Sequence, residues 1–248
     1  MAATTLALSA GGAGQARAAE ALVAVAANFA EAVETLKPEF ERATGHTLVV
    51  TTGSTGKLYA QIAAGAPFHV LLSADAEAPA RLEREGLAVG STRTTYAIGK
   101  LTLWSADSSR IGADGRAVLT DPGLRFVIVA NPDLAPYGVA ARQALRSMEL
   151  WERLQPKIAM AQNIGQAHSM VASGAAEVGF VALSAVLSPR ASGGGSRWDV
   201  PQDLFEPIRQ DAVVLNPGKD NPAVAAFLDF LKTNEARAVI ERYGYANE

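Results

Sequence analysis

Leu22-Val-Ala-Val-Ala-Ala27 breaks off at Asn28, and Thr47-Leu-Val-Val-Thr-Thr52 breaks off at Gly53-Ser54-Thr55-Gly56. Between these apolar runs, Phe29, Ala32, Val33, Leu36 and Phe40 recur at helical spacing, with Glu31, Glu34, Glu39 and Glu41 on other faces. The stretch predicts a βαβ unit whose two strands both finish in small polar residues. Asn28 is placed to cap the helix, and Gly45 to close it as the residue just past its C-terminus. In an open α/β sheet, ligands bind beyond the carboxyl ends of the strands, where the next helix presents free N–H groups. A binding cleft is therefore expected, and one suited to an anion.

Outward from this unit the pattern repeats. A helix carrying Leu58, Tyr59, Ile62 and Ala63 ends at Gly65, and Val70 to Leu72 reads as a short buried strand. Ser73-Ala74-Asp75 then opens another helix with hydroxyl and carboxylate caps. Alternating strands and helices predict a parallel sheet with helices on both faces. From Tyr96 the texture changes: Ala97-Ile98 and Leu101 to Trp104 read as a strand leaving one sheet for another, followed by a loop from Asp107 to Arg116. Strands are expected at Phe126 to Ala130, Ile158 to Ala161 and Val178 to Leu183, with helices over Val139 to Met148 and Ile164 to Gly174. After a Gly/Ser loop, Ser192 to Ser196, the strand Ile208 to Leu215 returns the chain to the first sheet, and helices from Pro222 and Glu235 finish it.

This is a two-lobed plan that closes over a ligand by hinge motion. Residues 20–98 with 211–248 form the first lobe and 99–210 the second, joined by crossings near 96–103 and 207–213. Residues 1–19 are small and apolar, and Ala16-Arg17-Ala18 before Ala19 fits a cleavage pattern. They read as an export-signal remnant or a disordered tail.

Composition narrows the function. The chain has 248 residues and a formal net charge of −3, with 22 Lys and Arg scattered among 25 acids. No basic stripe of the kind that tracks nucleic acid is present. There is no cysteine, which removes disulfides and thiolate metal sites. His46, His69 and His168 lie far apart, so a catalytic metal is not expected. Ser54 lacks the G-x-S-x-G context of a nucleophile, and His168 reads as a polar helix residue. No apolar run is long enough to span a bilayer.

Four strand-to-helix junctions share one composition: Ala27-Asn28, Ser54-Thr55-Gly56, Pro136-Tyr137-Gly138 and Asn163-Ile164-Gly165. Each offers neutral hydrogen-bond donors and none a basic side chain; Lys57 is the nearest cation. Partial positive charge at helix N-termini, together with N–H groups, holds a small divalent anion without a counter-charge.

The residues then resemble a known family. Val23-Ala-Val-Ala-Ala-Asn-Phe29, Thr52-Gly-Ser-Thr-Gly56, Gln61-Ile-Ala-Ala-Gly-Ala-Pro67, Leu72-Ser-Ala-Asp75, Tyr96-Ala-Ile-Gly-Lys-Leu101, Asn131-Pro132 with Ala135-Pro-Tyr-Gly138, Gly165-Gln-Ala-His-Ser169 and Gly179-Phe-Val-Ala-Leu183 follow one another in the order seen in periplasmic molybdate-binding proteins of ABC importers. The likeness runs from about Ala21 to Tyr245, nearest the branch with Asn and Tyr in its pocket. It implies a type II periplasmic binding fold and a non-enzymatic, monomeric periplasmic protein without cofactor. Such a protein holds molybdate or tungstate by neutral hydrogen bonds and delivers it to a membrane permease. Carried over, Asn28 donates from the first strand end, Thr55 with Ser54 beside it from the second, Tyr137 from the third and the Ile164 backbone from the fourth. Ala27 stands where the branch can carry a hydroxyl and leaves only its backbone N–H; Ala182 stands where another branch has a pocket Tyr. Sulfate and phosphate are the competing ligands, and an effector-sensing domain of a regulator is the competing class.

Overall fold

The computed structural model describes residues 18–191 and 194–246. The export-signal reading of 1–19 falls on residues 1–17 and so lies outside the described residues, as do Ser192 and Gly193 of the Gly/Ser loop and the last two residues of the chain.

The first part of the chain runs β1 (Glu20–Ala26), α1 (Ala30–Thr44), β2 (Thr47–Gly53), α2 (Thr55–Ala63), β3 (Val70–Leu72), α3 (Glu77–Arg84) and β4 (Thr94–Gly99). The middle runs β5 (Leu101–Ser105), α4 (Gly115–Thr120), β6 (Val127–Ala130), α5 (Pro136–Ser147), α6 (Trp151–Leu154), β7 (Ile158–Ala161), α7 (Ile164–Ala172), β8 (Val178–Ala182), α8 (Leu183–Val186) and β9 (Ser196–Asp199). The chain returns through β10 (Ile208–Val214) and ends in α9 (Pro222–Phe230) and α10 (Asn234–Arg242). Among the described residues the strands form two five-stranded sheets, ordered β2-β1-β3-β10-β4 and β7-β6-β8-β5-β9.

The apolar run that opens the chain is continuous because β1 is buried on both faces. Val23 and Val25 pack with Leu36 and Phe40 of α1 and Phe227 of α9. Ala24, pointing the other way, packs with Leu58 and Ile62 of α2 and Leu82 of α3. Burying one such Leu or Phe stabilises the fold by about 1.5–3 kcal/mol. The second sheet has its own core, in which Val127 to Ala130, Val178 and Phe180 meet Leu145 of α5 and Val171 of α7. Gly45 ends α1 at φ 71°, the left-handed conformation its position calls for.

The parallel pairing expected from the alternation holds for β1 with β2 and β3, and for β6 with β7 and β8. Both sheets are nonetheless mixed. β10 runs antiparallel to β3 and β4, and β5 runs antiparallel to β8 and β9. These two strands enter from the other sheet without the helical crossover that makes successive strands parallel. Lys100 alone separates β4 from β5, and β10 pairs with β4 from Ile208 opposite Gly99 onward, with a bulge between Gln210 and Asp211. β9 was not legible: Ser-Arg-Trp-Asp is too polar to announce a strand, yet Trp198 pairs opposite Leu103 at the sheet edge. α4, six residues long, begins inside the stretch expected to be loop.

Candidate functional site

Each of the four junctions runs from a strand end to a helix start through a short connection, the longest being Asn131 to Ala135 between β6 and α5. β1 stops at Ala26 and the chain makes a single 3₁₀ turn, Ala27–Phe29, before α1. β2 stops at Gly53, and Ser54 caps α2 by accepting from the Lys57 N–H at 3.4 Å. α5 starts with Pro136, which has no N–H to lose at that position. Asn163 caps α7 by accepting from the Gln166 N–H at 2.8 Å. Ala27, Asn28, Ser54, Thr55, Tyr137 and Ile164 all line one small space between the two sheets, with Gly53, Ala135 and Asn163 beside them. The cavity there is only about 10 Å³, room for about one water and far below the ~300–1,000 Å³ of pockets for organic ligands. Asn28, Ser54, Thr55, Tyr137 and Ile164 are all buried.

The lining offers donors. Thr55, Tyr137 and Ile164 stand in the first turns of α2, α5 and α7, where an N–H has no partner within its own helix, and Ala27 and Asn28 stand likewise in the 3₁₀ turn. The Thr55 hydroxyl accepts from the Ala74 N–H at 3.1 Å and keeps its own proton to donate. Burial, reinforced by Tyr245 nearby, pushes the Tyr137 phenol well above its ordinary range, so it too remains a neutral donor. No carboxylate and no basic side chain lines the space.

The two halves touch around it. The Gly56 N–H donates to the Leu134 carbonyl at 3.0 Å, and a Cβ on Gly56 would lie 3.1 Å from that oxygen. Lys57 Nζ donates to Gln162 Oε1, so this cation bridges the rim and stays outside the space. On the other side Ser184 Oγ donates to the Asn28 carbonyl at 3.0 Å, and Ser188 Oγ donates to the Glu31 carboxylate.

Some expectations are corrected. Asn28 does not cap α1: the 3₁₀ turn intervenes, Phe29 takes the capping position, and no side chain caps that end. The Asn28 amide instead faces the crossing strand, with Nδ2 donating to Gln210 Oε1 at 2.7 Å and to Tyr245 Oη at 3.0 Å. Both of its N–H bonds are thereby engaged, so toward the space Asn28 offers its backbone N–H. His168 lies away from the lining, stacked on Trp104 with ring centroids 4.7 Å apart. Burial lowers its pKa, with Glu31 pulling weakly the other way, and its Nε2 is buried without a partner. Asp75 caps the turn before α3 by accepting from the Ala78 N–H at 2.9 Å; burial raises its pKa against that bond. Gln210, Tyr245, Tyr96 and Ser73 were not read from the sequence as part of this region. The available signal was a Gln-Asp pair inside a run otherwise expected to be buried strand.

Two α/β halves whose helix N-termini converge on a small buried space of neutral donors define a two-lobed solute-binding protein. The chain belongs to the bacterial extracellular solute-binding protein family, whose model matches residues 21–246. It is 50% identical over 230 residues to the molybdate-binding protein ModA of Azotobacter vinelandii, spanning 93% of this chain and 91% of that protein. It is 47% identical over 246 residues to ModA of Rhodobacter capsulatus, spanning 99% and 96%. The solved periplasmic molybdate-binding protein of Azotobacter vinelandii superposes with a TM-score of 0.86 at 40% identity, over 92% of this chain and 99% of that one. The type II periplasmic binding fold and the family likeness expected from the sequence both stand.

Proposed function

We propose that this protein captures molybdate, and tungstate with it, in the periplasm as a monomer and delivers it to the permease of an ABC importer. The observation that carries this reading is a small buried space lined by donors from four strand ends and by no charged side chain. A fully ionised dianion needs only donors, whereas phosphate at neutral pH keeps a proton and calls for an acceptor such as a carboxylate. The relatives' names support molybdate over sulfate. Among the described residues no helix is long and apolar enough to cross a membrane. In this reading the moving bodies are 20–98 with 211–248 and 99–210, and the β4–β10 ribbon with the two crossings serves as the hinge. Isothermal titration against molybdate, tungstate, sulfate and phosphate tests it: the first two bind and the others do not. Heat from sulfate with none from molybdate overturns it.

Thr55→Ala removes the hydroxyl donor and weakens molybdate binding by about 1.5–3 kcal/mol, roughly 10- to 150-fold, the range for a hydrogen bond to a charged group. His168→Ala, away from the lining, changes Kd by less than about twofold. The reverse pattern in the same titrations would show the site to be misplaced.

Affinity is also expected to be flat from about pH 6 to 8. The phenols of Tyr137 and Tyr96 are raised above an ordinary value of 10.0, chiefly by burial, so neither loses its proton in that window. Burial lowers the pKa of His168 from 6.5, so across that window it carries less charge than an ordinary imidazole. A Kd that rises steeply between pH 6 and 8 would point to a histidine cation in the site. A Kd that rises with salt alone would point to Lys57.

A further inference from the structure

Gln210 is fully buried at the bulge in β10, where it touches groups from both halves of the protein. Its Nε2 donates to Tyr137 Oη at 3.1 Å, and its Oε1 accepts from Asn28 Nδ2 at 2.7 Å. We infer that Gln210 is a positioning residue that aims the Tyr137 hydroxyl proton at the bound oxyanion. The inference rests on the proposed site and deepens it.

An amide presents an acceptor on one side and a donor on the other, so the end that faces Tyr137 decides whether the phenol accepts or donates. A chain of bonds sets that end, and it starts from an atom that only accepts, the Asn28 carbonyl oxygen. Tyr245 Oη gives its proton to that carbonyl at 2.7 Å, with Ser184 Oγ as the alternative acceptor at 3.1 Å. Toward the Asn28 side chain Tyr245 therefore accepts, and it takes Nδ2 at 3.0 Å. The second hydrogen of Nδ2 goes to Gln210 Oε1. That turns Gln210 Nε2 toward Tyr137, fills a lone pair of the phenol oxygen, and leaves the phenol proton for the space that Tyr137 lines. Tyr96 has one proton for two acceptors, the Ser73 carbonyl at 2.8 Å and Gln210 Oε1 at 3.0 Å, so in this orientation one of the two goes without it.

The arrangement leaves Asn28 Oδ1 buried without a partner. Turning both amides over would satisfy that oxygen and make Tyr137 donate to Gln210, which would withdraw its proton from the anion. Gln210 thus holds Tyr137 in the donating state without touching the ligand itself.

The test is a double-mutant cycle on molybdate Kd by titration calorimetry, with the ligand-free melting temperature of each variant as a control. Tyr137→Phe is expected to weaken binding roughly 10- to 100-fold and Gln210→Met roughly 3- to 10-fold. The double variant should stay within about twofold of Tyr137→Phe, because Gln210 acts through the hydroxyl that is already gone. Gln210→Glu has the same shape and, when ionised, can only accept from the phenol; measured at a pH high enough to ionise it, it should weaken binding at least as much as Gln210→Met, and it serves if the Met variant folds poorly. A purely structural Gln210 would give losses that multiply in the double variant, and that result overturns the inference while leaving the site intact. Unchanged Kd in both Gln210 variants overturns it as well. Unchanged Kd in Tyr137→Phe overturns the site and the inference together.

Discussion

Molybdate at one thousand times its Kd is expected to raise the melting temperature by about 8–16 °C. A ligand that binds only the folded state adds RT ln(1 + [L]/Kd), about 4.1 kcal/mol at that excess. For a chain of this size each kcal/mol moves the midpoint by about 2–4 °C. The increment does not depend on how the affinity divides among donors, so it tests the ligand class independently of any residue assignment. Sulfate at the same concentration should leave the melt unmoved. A shift with sulfate and none with molybdate in a differential scanning experiment would sink the proposed function, whatever the mutants do.

Gly56→Val is expected to weaken molybdate binding by at least about 100-fold. Gly56 sits in the first turn of α2, and the nearest atoms to an added Cβ are main-chain atoms of the opposite half, Leu134 O at 3.1 Å and Leu134 Cα at 3.2 Å. Alanine there would already press on backbone, which cannot swing aside as a side-chain tip does; a branched residue must hold the halves apart. Donors from Tyr137 and Ile164 would then fall short of an anion seated against Thr55, because hydrogen bonds fade beyond about 3.5 Å. Losing two bonds to a charged group removes roughly 3–6 kcal/mol, which sets the expected lower bound. Ligand-free stability should change little, since the side chain would face the other half and Val suits a helix slightly better than Gly. Wild-type affinity in Gly56→Val would mean that the ligand does not need the contact between the halves.

The sequence made the four junctions legible because each ends an apolar run in residues that are poor in a buried strand and good at a helix start. Asn28 shows the limit of that logic. The residue was read at the right junction but with a helix-capping role, because nothing local shows that a 3₁₀ turn intervenes or that Gln210 and Tyr245, far along the chain, will claim its amide. The antiparallel strands were hidden for the same reason: direction depends on which sheet a strand enters, and β5 and β10 change sheets. Lys57 could be assigned to the rim only once Gln162 lay opposite it.

The position of β10 between β3 and β4 bears on the order in which the halves can form. The second sheet is assembled from one unbroken stretch, residues 101–199, so its contacts close over comparatively short separations. The first sheet lacks its fourth strand until residues 208–214 are present, and until then β3 keeps an open edge and β4 has no neighbour to join it to the rest. Contacts between distant parts of a chain form late, because loop entropy must be overcome before they yield any stabilisation. The middle of the chain should therefore reach native protection in pulsed hydrogen exchange before β4 and β10 do. In the interval an unpaired edge of Val-Leu-Leu is the surface most prone to pair with another chain.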